Sequence, residues 1–195
     1  VPLIRDLLVR EGRRIRRPSR HYCFIGFRRC SKEFTIDGVV NENDSMRDHL
    51  RLMAQAIAEA QRAADTGEVP VGAVVVRDGV VIGVGHNRPI TKHDPTAHAE
   101  IEAMRAACAA TGAYRLEDAS LYVTLEPCVM CVGAILNARI ARVYYGARDE
   151  KAGALGSVYD IGRDGRLNHR IEVYGGIMES ACAALLREFF RARRG

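Results

Sequence analysis

Apolar residues at Leu50, Met53, Ala54, Ile57, Ala60 and Ala64 recur at helical spacing. The repeat begins at Met46 and ends at Gly67, which predicts a first amphipathic helix. The stretch "VPVGAVVVRDGVVIGVGHN" changes to apolar runs of strand length, joined at Asp78-Gly79, a pair that favours a tight hairpin turn. "ITKHDPT" reads as a loop, after which Thr96 can cap a helix over about Ala97 to Ala110. "SLYVTLE" is expected to be a buried strand, and Pro127 can open the next helix. "ARVYYGA" and "RIEVYGG" predict two further strands, and Met178–Arg194 the last helix. The order α-β-β-α-β-α-β-(loop)-β-α indicates an α/β domain whose mixed sheet is covered on both faces.

Charge changes the picture at one end only. The 195-residue chain carries a net +5, of which residues 1–45 supply +4 (10 Lys/Arg, 6 Asp/Glu) and residues 46–195 only +1 (19 and 18). The basic overall balance therefore gives no ground for nucleic-acid binding by the patterned domain as a whole. Two segments are expected. Residues 1–45 form a basic N-terminal extension without helical or strand period, read as a flexible arm or as upstream sequence outside the native domain. Residues 46–195 form the working domain. A nucleic-acid-binding arm or a targeting peptide is the other reading of the extension. No apolar run approaches the roughly 20 residues of a membrane-spanning helix. Six cysteines, scattered except for one CxxC pair, are too sparse for a disulfide scaffold, and no secretory signal is visible. A reducing, cytoplasmic setting is expected.

The candidate chemistry lies in "HAE" (98–100) and "PCVMC" (127–131). Cys128 and Cys131 share one face of a helix's first turn, where the helix N-terminus favours thiolates. His98 falls near the start of another helix, so two helix starts at one sheet edge could bring the three side chains together. One His and two Cys make three ligands for a tetrahedral ion and leave the fourth position open, as catalytic zinc requires. A redox CxxC pair is the competing reading of the cysteines alone. His93, on a polar loop beside Lys92 and Asp94, is a rival ligand better read as solvated. Glu100 is suited to carry protons at an open metal position. Its alternative is a simple acid in a helix's first turn.

At these residues the chain resembles the zinc nucleobase deaminases, whose signature is H-x-E…P-C-x-x-C. "EVPVGAVVV", "HNRPITKHDPTAHAE", "LYVTLEPCVMC", "YYGARDEKAGALGS", "NHRIEVYGGI" and "SACAALLREFFRARR" are similar, in order and spacing, to the bacterial tRNA-specific adenosine deaminases. The resemblance spans about residues 46–195. It implies a three-layer α/β/α cytidine-deaminase-like fold with a mixed five-stranded sheet, a homodimer, and conversion of the wobble adenosine of an arginine tRNA to inosine. It also implies one Zn2+ per chain on His98, Cys128 and Cys131, activating a water, with Glu100 as proton shuttle. By motif position, Ala99 through its backbone and Asn87 would hold the base, and Val71 and Leu125 would form apolar walls. Asp149 would meet a neighbouring ribose of the anticodon stem-loop.

Phe189 and Phe190 cannot both join the stripe set by Leu185 and Leu186, since helical neighbours stand about 100° apart. One ring is expected in the core and the other on a splayed nucleotide, with Arg191, Arg193 and Arg194 on phosphates. A solvated tail is the alternative. Two other functions compete: a deaminase of free cytosine, cytidine or guanine, and a non-catalytic zinc module that binds RNA. "GARDEKAGALGS" and the basic Phe-Phe tail speak against the first, and Glu100 against the second.

Overall fold

The computed structural model describes residues 42–194, with side chains from Met46 onward. The expected basic extension over residues 1–45 falls almost wholly outside them. Helix α1 (Glu42–Asp65) already runs through the last of those positions, so regular structure starts ahead of Met46.

A hairpin follows, β1 (Gly72–Arg77) and β2 (Val80–His86). Its turn residues Asp78 and Gly79 both have positive φ, 52° and 75°, the geometry a two-residue hairpin of this twist demands. Then come α2 (Pro89–Lys92), α3 (Ala99–Thr111), β3 (Ser120–Leu125), α4 (Val129–Ala138) and β4 (Arg142–Ala147). A single 3-10 turn (Ile161–Arg163), β5 (Glu172–Gly175) and α5 (Glu179–Ala192) complete the order. The five strands form one sheet in the order β2-β1-β3-β4-β5. The β1–β2 and β1–β3 pairs are antiparallel, and the β3–β4 and β4–β5 pairs parallel. The sheet is mixed and five-stranded, as expected.

Period-two alternation divides the core into two layers. Ala73, Val75, Leu121, Val123, Val143 and Tyr145 pack with Ala103, Met104, Val132 and Ile135 of α3 and α4. Val74, Val76, Tyr122 and Tyr144 pack with Leu52, Met53 and Ala56 of α1 and Cys182 of α5. The result is an α/β/α sandwich. None of its described helices is long and apolar enough to cross a membrane.

Four local expectations need correction. The buried stripe of α1 is Leu52, Met53, Ala56, Ala60 and Ala63, whereas Leu50 is 43% exposed and Ala54 is also exposed. In an alanine-rich helix the period is plain, but its phase is set by what the sheet presents. "ITKHDPT" contains the short helix α2, opened by Pro89. Thr96 does not cap α3, because the helix starts only at Ala99; its amide and hydroxyl both donate to Asp94 Oδ1 (2.8 and 2.6 Å) in the turn before. His98 stands at the N-cap instead. Pro127 precedes α4 by one residue more than expected, and Cys128 is its N-cap.

Candidate active site

Two glycines fix how close α3 lies to the sheet. A Cβ on Gly83 would come 2.4 Å from the Ala103 oxygen, and one on Gly85 would come 2.4 Å from the Ala103 nitrogen and 2.6 Å from the Ala99 oxygen. Only glycine on β2 and alanine on α3 (Ala99, Ala103, Ala107) permit this contact. The start of α3 is thereby held at the edge where β1 begins and β3 ends. From that edge His98 meets the first turn of α4. His98 Nδ1 lies 3.8 Å from Cys128 Sγ and 3.6 Å from Cys131 Sγ, and all three ligand atoms lie within 4.8 Å of one another. A tetrahedral zinc ion separates S and N ligands by about 3.5–3.8 Å, given Zn–S and Zn–N bonds of about 2.3 and 2.0–2.1 Å. The cradle fits such an ion with these atoms as they stand. It is the one such group of His, Cys, Asp and Glu among the described residues, and His93, exposed at the end of α2, is outside it.

The neighbouring Cys131, with His98 close by, holds the Cys128 thiol well below its ordinary range. Cys131, beside Cys128 and buried, is pushed up in turn. His98 is raised by its contact with Cys128. Both sulfurs would be deprotonated as ligands of a bound cation.

Glu100 is only 4% exposed, in the first turn of α3. Burial pushes its carboxyl up to about 6, into the range where a group both takes and returns a proton near neutrality.

Asn87, buried at the end of β2, accepts from the Ala99 amide through Oδ1 (2.9 Å), and its own amide donates to the Val71 carbonyl (3.0 Å). The Ala99 N–H is therefore engaged by Asn87 rather than open to a base. The donation to Val71 is from the Asn87 backbone N–H, so the pair acts as one unit and the side-chain Nδ2 of Asn87 is the donor left for a ligand. Val71 is buried and Leu125 half-buried at the ends of β1 and β3.

Asp149, half-buried after β4, accepts from Lys151 and Ala152 amides through Oδ1 (2.9 and 3.1 Å). On α5, Phe189 is half-buried and Phe190 is 46% exposed, their rings edge-to-face at 5.4 Å. Arg191 and Arg194 are exposed. Arg193 is not available as expected: its guanidinium covers the Phe189 ring at 3.9 Å and donates to the Gly67 carbonyl. It ties α5 to the turn after α1.

Three buried carboxylates escaped the sequence reading, the first being Glu59, which pairs with Arg62 and His86 (2.9 and 3.0 Å). Glu68 accepts from the Thr91 amide (2.7 Å) and so closes the first turn of α2. Glu126, 2% exposed, accepts from several groups of the loop after β4. The one available signal was a glutamate at the end of an apolar strand, where solvent offers no reason for it.

A buried carboxylate beside an open metal position on a soft, three-ligand cradle is suited to adding water across a C–N bond and expelling an amine. This places the protein among the deaminases. The comparisons agree. The family model described as MafB19-like deaminase matches residues 47–194. A tRNA-specific adenosine deaminase of Agrobacterium fabrum is 48% identical over 149 residues, which is 76% of this chain and 98% of the relative. One from Bacillus subtilis is 45% identical over 142 residues, 73% of this chain and 88% of the relative. A solved structure from a study of A-to-I editing by tRNA:A34 deaminases at the wobble position of transfer RNA is 48% identical. It superposes with a TM-score of 0.68 over 70% of this chain and 99% of that one. A guanine deaminase from Nitrosomonas europaea, 27% identical, superposes with a TM-score of 0.63 over 72% and 83%. The chain belongs to the MafB19-like deaminase family, within the group of the tRNA-specific adenosine deaminases.

Proposed function

We propose that this protein converts the wobble adenosine of a tRNA, an arginine tRNA by its family resemblance, to inosine: adenosine and water give inosine and ammonia. The observation that carries this reading is the meeting of His98, Cys128 and Cys131 with the buried Glu100, in a chain 45–48% identical to tRNA-specific adenosine deaminases. His98 Nδ1 and the two sulfurs would hold one Zn2+ per chain. When bound, the ion supplies the Lewis acidity that makes water a nucleophile near neutral pH. Glu100 takes the proton that water loses and passes it to the ring nitrogen beside the reacting carbon; it then takes the proton of the hydroxyl added to that carbon and delivers it to the departing amine as the carbonyl forms. Its raised affinity for a proton suits both exchanges.

Asn87, anchored through Ala99, donates to the base, and Val71 and Leu125 give it apolar walls. Asp149 meets a neighbouring ribose. Phe190, the more exposed ring of its pair, stacks on a nucleotide of the anticodon stem-loop, and Arg191 lies beside phosphate. Residues 46–195 are the deaminase domain, in keeping with the family match over 47–194. A homodimer in the cytoplasm completes the reading.

Glu100→Gln tests it. The substitution keeps the shape and leaves His98, Cys128 and Cys131 in place, so metal content and stem-loop affinity should hold. General acid–base help is worth about 10²–10⁴ in rate, and because Glu100 serves several transfers the loss should reach the upper end. The measurement is single-turnover inosine formation beside equilibrium RNA binding. Near-normal inosine formation would sink the mechanism. Free guanine is included as substrate, because the similarity to guanine deaminase structures favours it as the second reading. Turnover of guanine without turnover of the stem-loop would establish it.

A further inference from the structure

Glu126 is the last residue before the metal-binding turn, and the proposed reaction assigns it nothing. Its backbone amide donates to the Ala147 carbonyl (2.8 Å), which joins the ends of β3 and β4. Its carboxylate is turned toward the loop that follows β4. Oε1 accepts from the amides of Leu155 and Ser157 (3.0 Å each). Oε2 accepts from the Asp149 amide (3.3 Å) and from the Ser157 hydroxyl. Four donors spread over nine positions of one loop thus converge on a single buried side chain.

The loop is shaped to receive it. A Cβ on Gly153 would come 2.5 Å from the Glu126 carboxyl carbon, so the chain passes flat against the carboxylate there. The Ala154 amide donates to the Pro127 carbonyl (2.9 Å), and Gly153 pairs with Cys128 across an isolated bridge. Glu126 and the metal-binding turn together form one wall along which residues 149–157 are laid.

We infer that Glu126 is a positioning residue for RNA: its carboxylate organises the 149–157 loop so that Asp149 is presented to the nucleotide next to the reacting base. The inference rests on the proposed tRNA reading for what the loop touches. The hydrogen bonds of the Glu126 carboxylate run to Asp149, Leu155 and Ser157 of that loop. An amide in its place offers one acceptor oxygen for four donors, and its NH2 then faces N–H or O–H groups. The loop loses its template, while His98, Cys128, Cys131 and Glu100 keep their places.

The test uses the full chain loaded with zinc and an anticodon stem-loop carrying a wobble adenosine. Metal content, kcat, KM and amide hydrogen exchange are measured for the native protein and for Glu126→Gln. The expected result is one metal ion per chain, kcat within about threefold, KM raised about tenfold or more, and faster exchange at Leu155 and Ser157. Ser157→Ala removes one donor without touching the carboxylate, and should raise KM in the same direction by a smaller factor. If Glu126→Gln does not fold, Ser157→Ala decides alone, and an unchanged KM overturns the inference. An unchanged KM in a folded, metal-loaded Glu126→Gln protein overturns it as well. Loss of metal from that variant would assign Glu126 to the cradle instead and equally overturn it. A native protein that makes no inosine in the stem-loop would refute the tRNA reading, whereas the exchange rates at Leu155 and Ser157 test the organising role separately.

Discussion

Gly85→Ala probes the link between the packing of α3 and the chemistry at its first turn. A methyl group at this position would lie 2.4 Å from the Ala103 nitrogen, 2.6 Å from the Ala99 oxygen and 2.8 Å from the Glu102 carbonyl carbon. Carbon in ordinary contact needs about 3.5 Å, so relief requires α3 and β2 to part by about 1 Å. All three obstructing atoms are backbone, and no rotamer change can absorb the strain. Overpacking of this kind costs about 1–3 kcal/mol, and the upper end applies here. That leaves a domain of ordinary stability, about 5–15 kcal/mol, still folded. Activity should suffer more than stability. The displaced helix carries His98 at its N-cap and Glu100 in its first turn, whereas Cys128 and Cys131 stand at the start of α4, so the cradle is pulled apart between the two helices. A misplacement of about 1 Å typically costs about 10² in rate. Urea denaturation and single-turnover inosine formation read the two effects. Gly133→Ala is the control: it lies within α4, its Cβ would meet nothing within 4 Å, and it should be neutral or stabilising by up to about 1 kcal/mol. A Gly85→Ala protein with an unshifted urea midpoint and turnover within a few-fold of native would refute the claim that this contact sets the site.

The metal should be structural as well as chemical, because it joins the starts of α3 and α4. Cys131→Ser is expected to purify without metal and to melt well below the native protein, and retention of one ion per chain would remove Cys131 from the ligand set. A chain of residues 42–195, beginning with α1, should fold and bind metal as the full chain does. Loss of cooperative melting in it would mean that the basic extension contributes to the domain.

What could be read in the sequence was whatever depends on near neighbours. Asp78-Gly79 announces its hairpin because the turn needs positive φ at both positions. Cys128 and Cys131 announce a shared face because they are three residues apart on a helix. That His98 joins them depends on the closeness of α3 to β2, a consequence of Gly83 and Gly85 that no local rule reveals. The phase of α1 and the cap of α3 failed for a related reason. Leu50 and Leu52 are equally apolar, and α3 begins at Ala99, two residues beyond where a Thr96 cap would start it, while Asp94 holds Thr96 in the preceding turn.

Glu100 was legible from its place two residues after His98, but Glu59, Glu68 and Glu126 were hidden, since a glutamate in a sequence reads as a surface residue. Glu100 and Glu126 are both buried at the same edge of the sheet, and their carboxyls move in opposite directions. Burial raises Glu100 to about 6. Burial also works to raise Glu126, but donors from Ser157, Leu155 and Asp149 outweigh it and hold that carboxylate below its ordinary range. A buried acid supplied with four donors stays ionised and can serve only as a fixed acceptor. The other, raised by its own burial, can exchange a proton with what binds beside it. The division of labour between the two residues therefore lies in the loop that reaches one of them and not the other, and that loop arrives from more than twenty positions further along the chain.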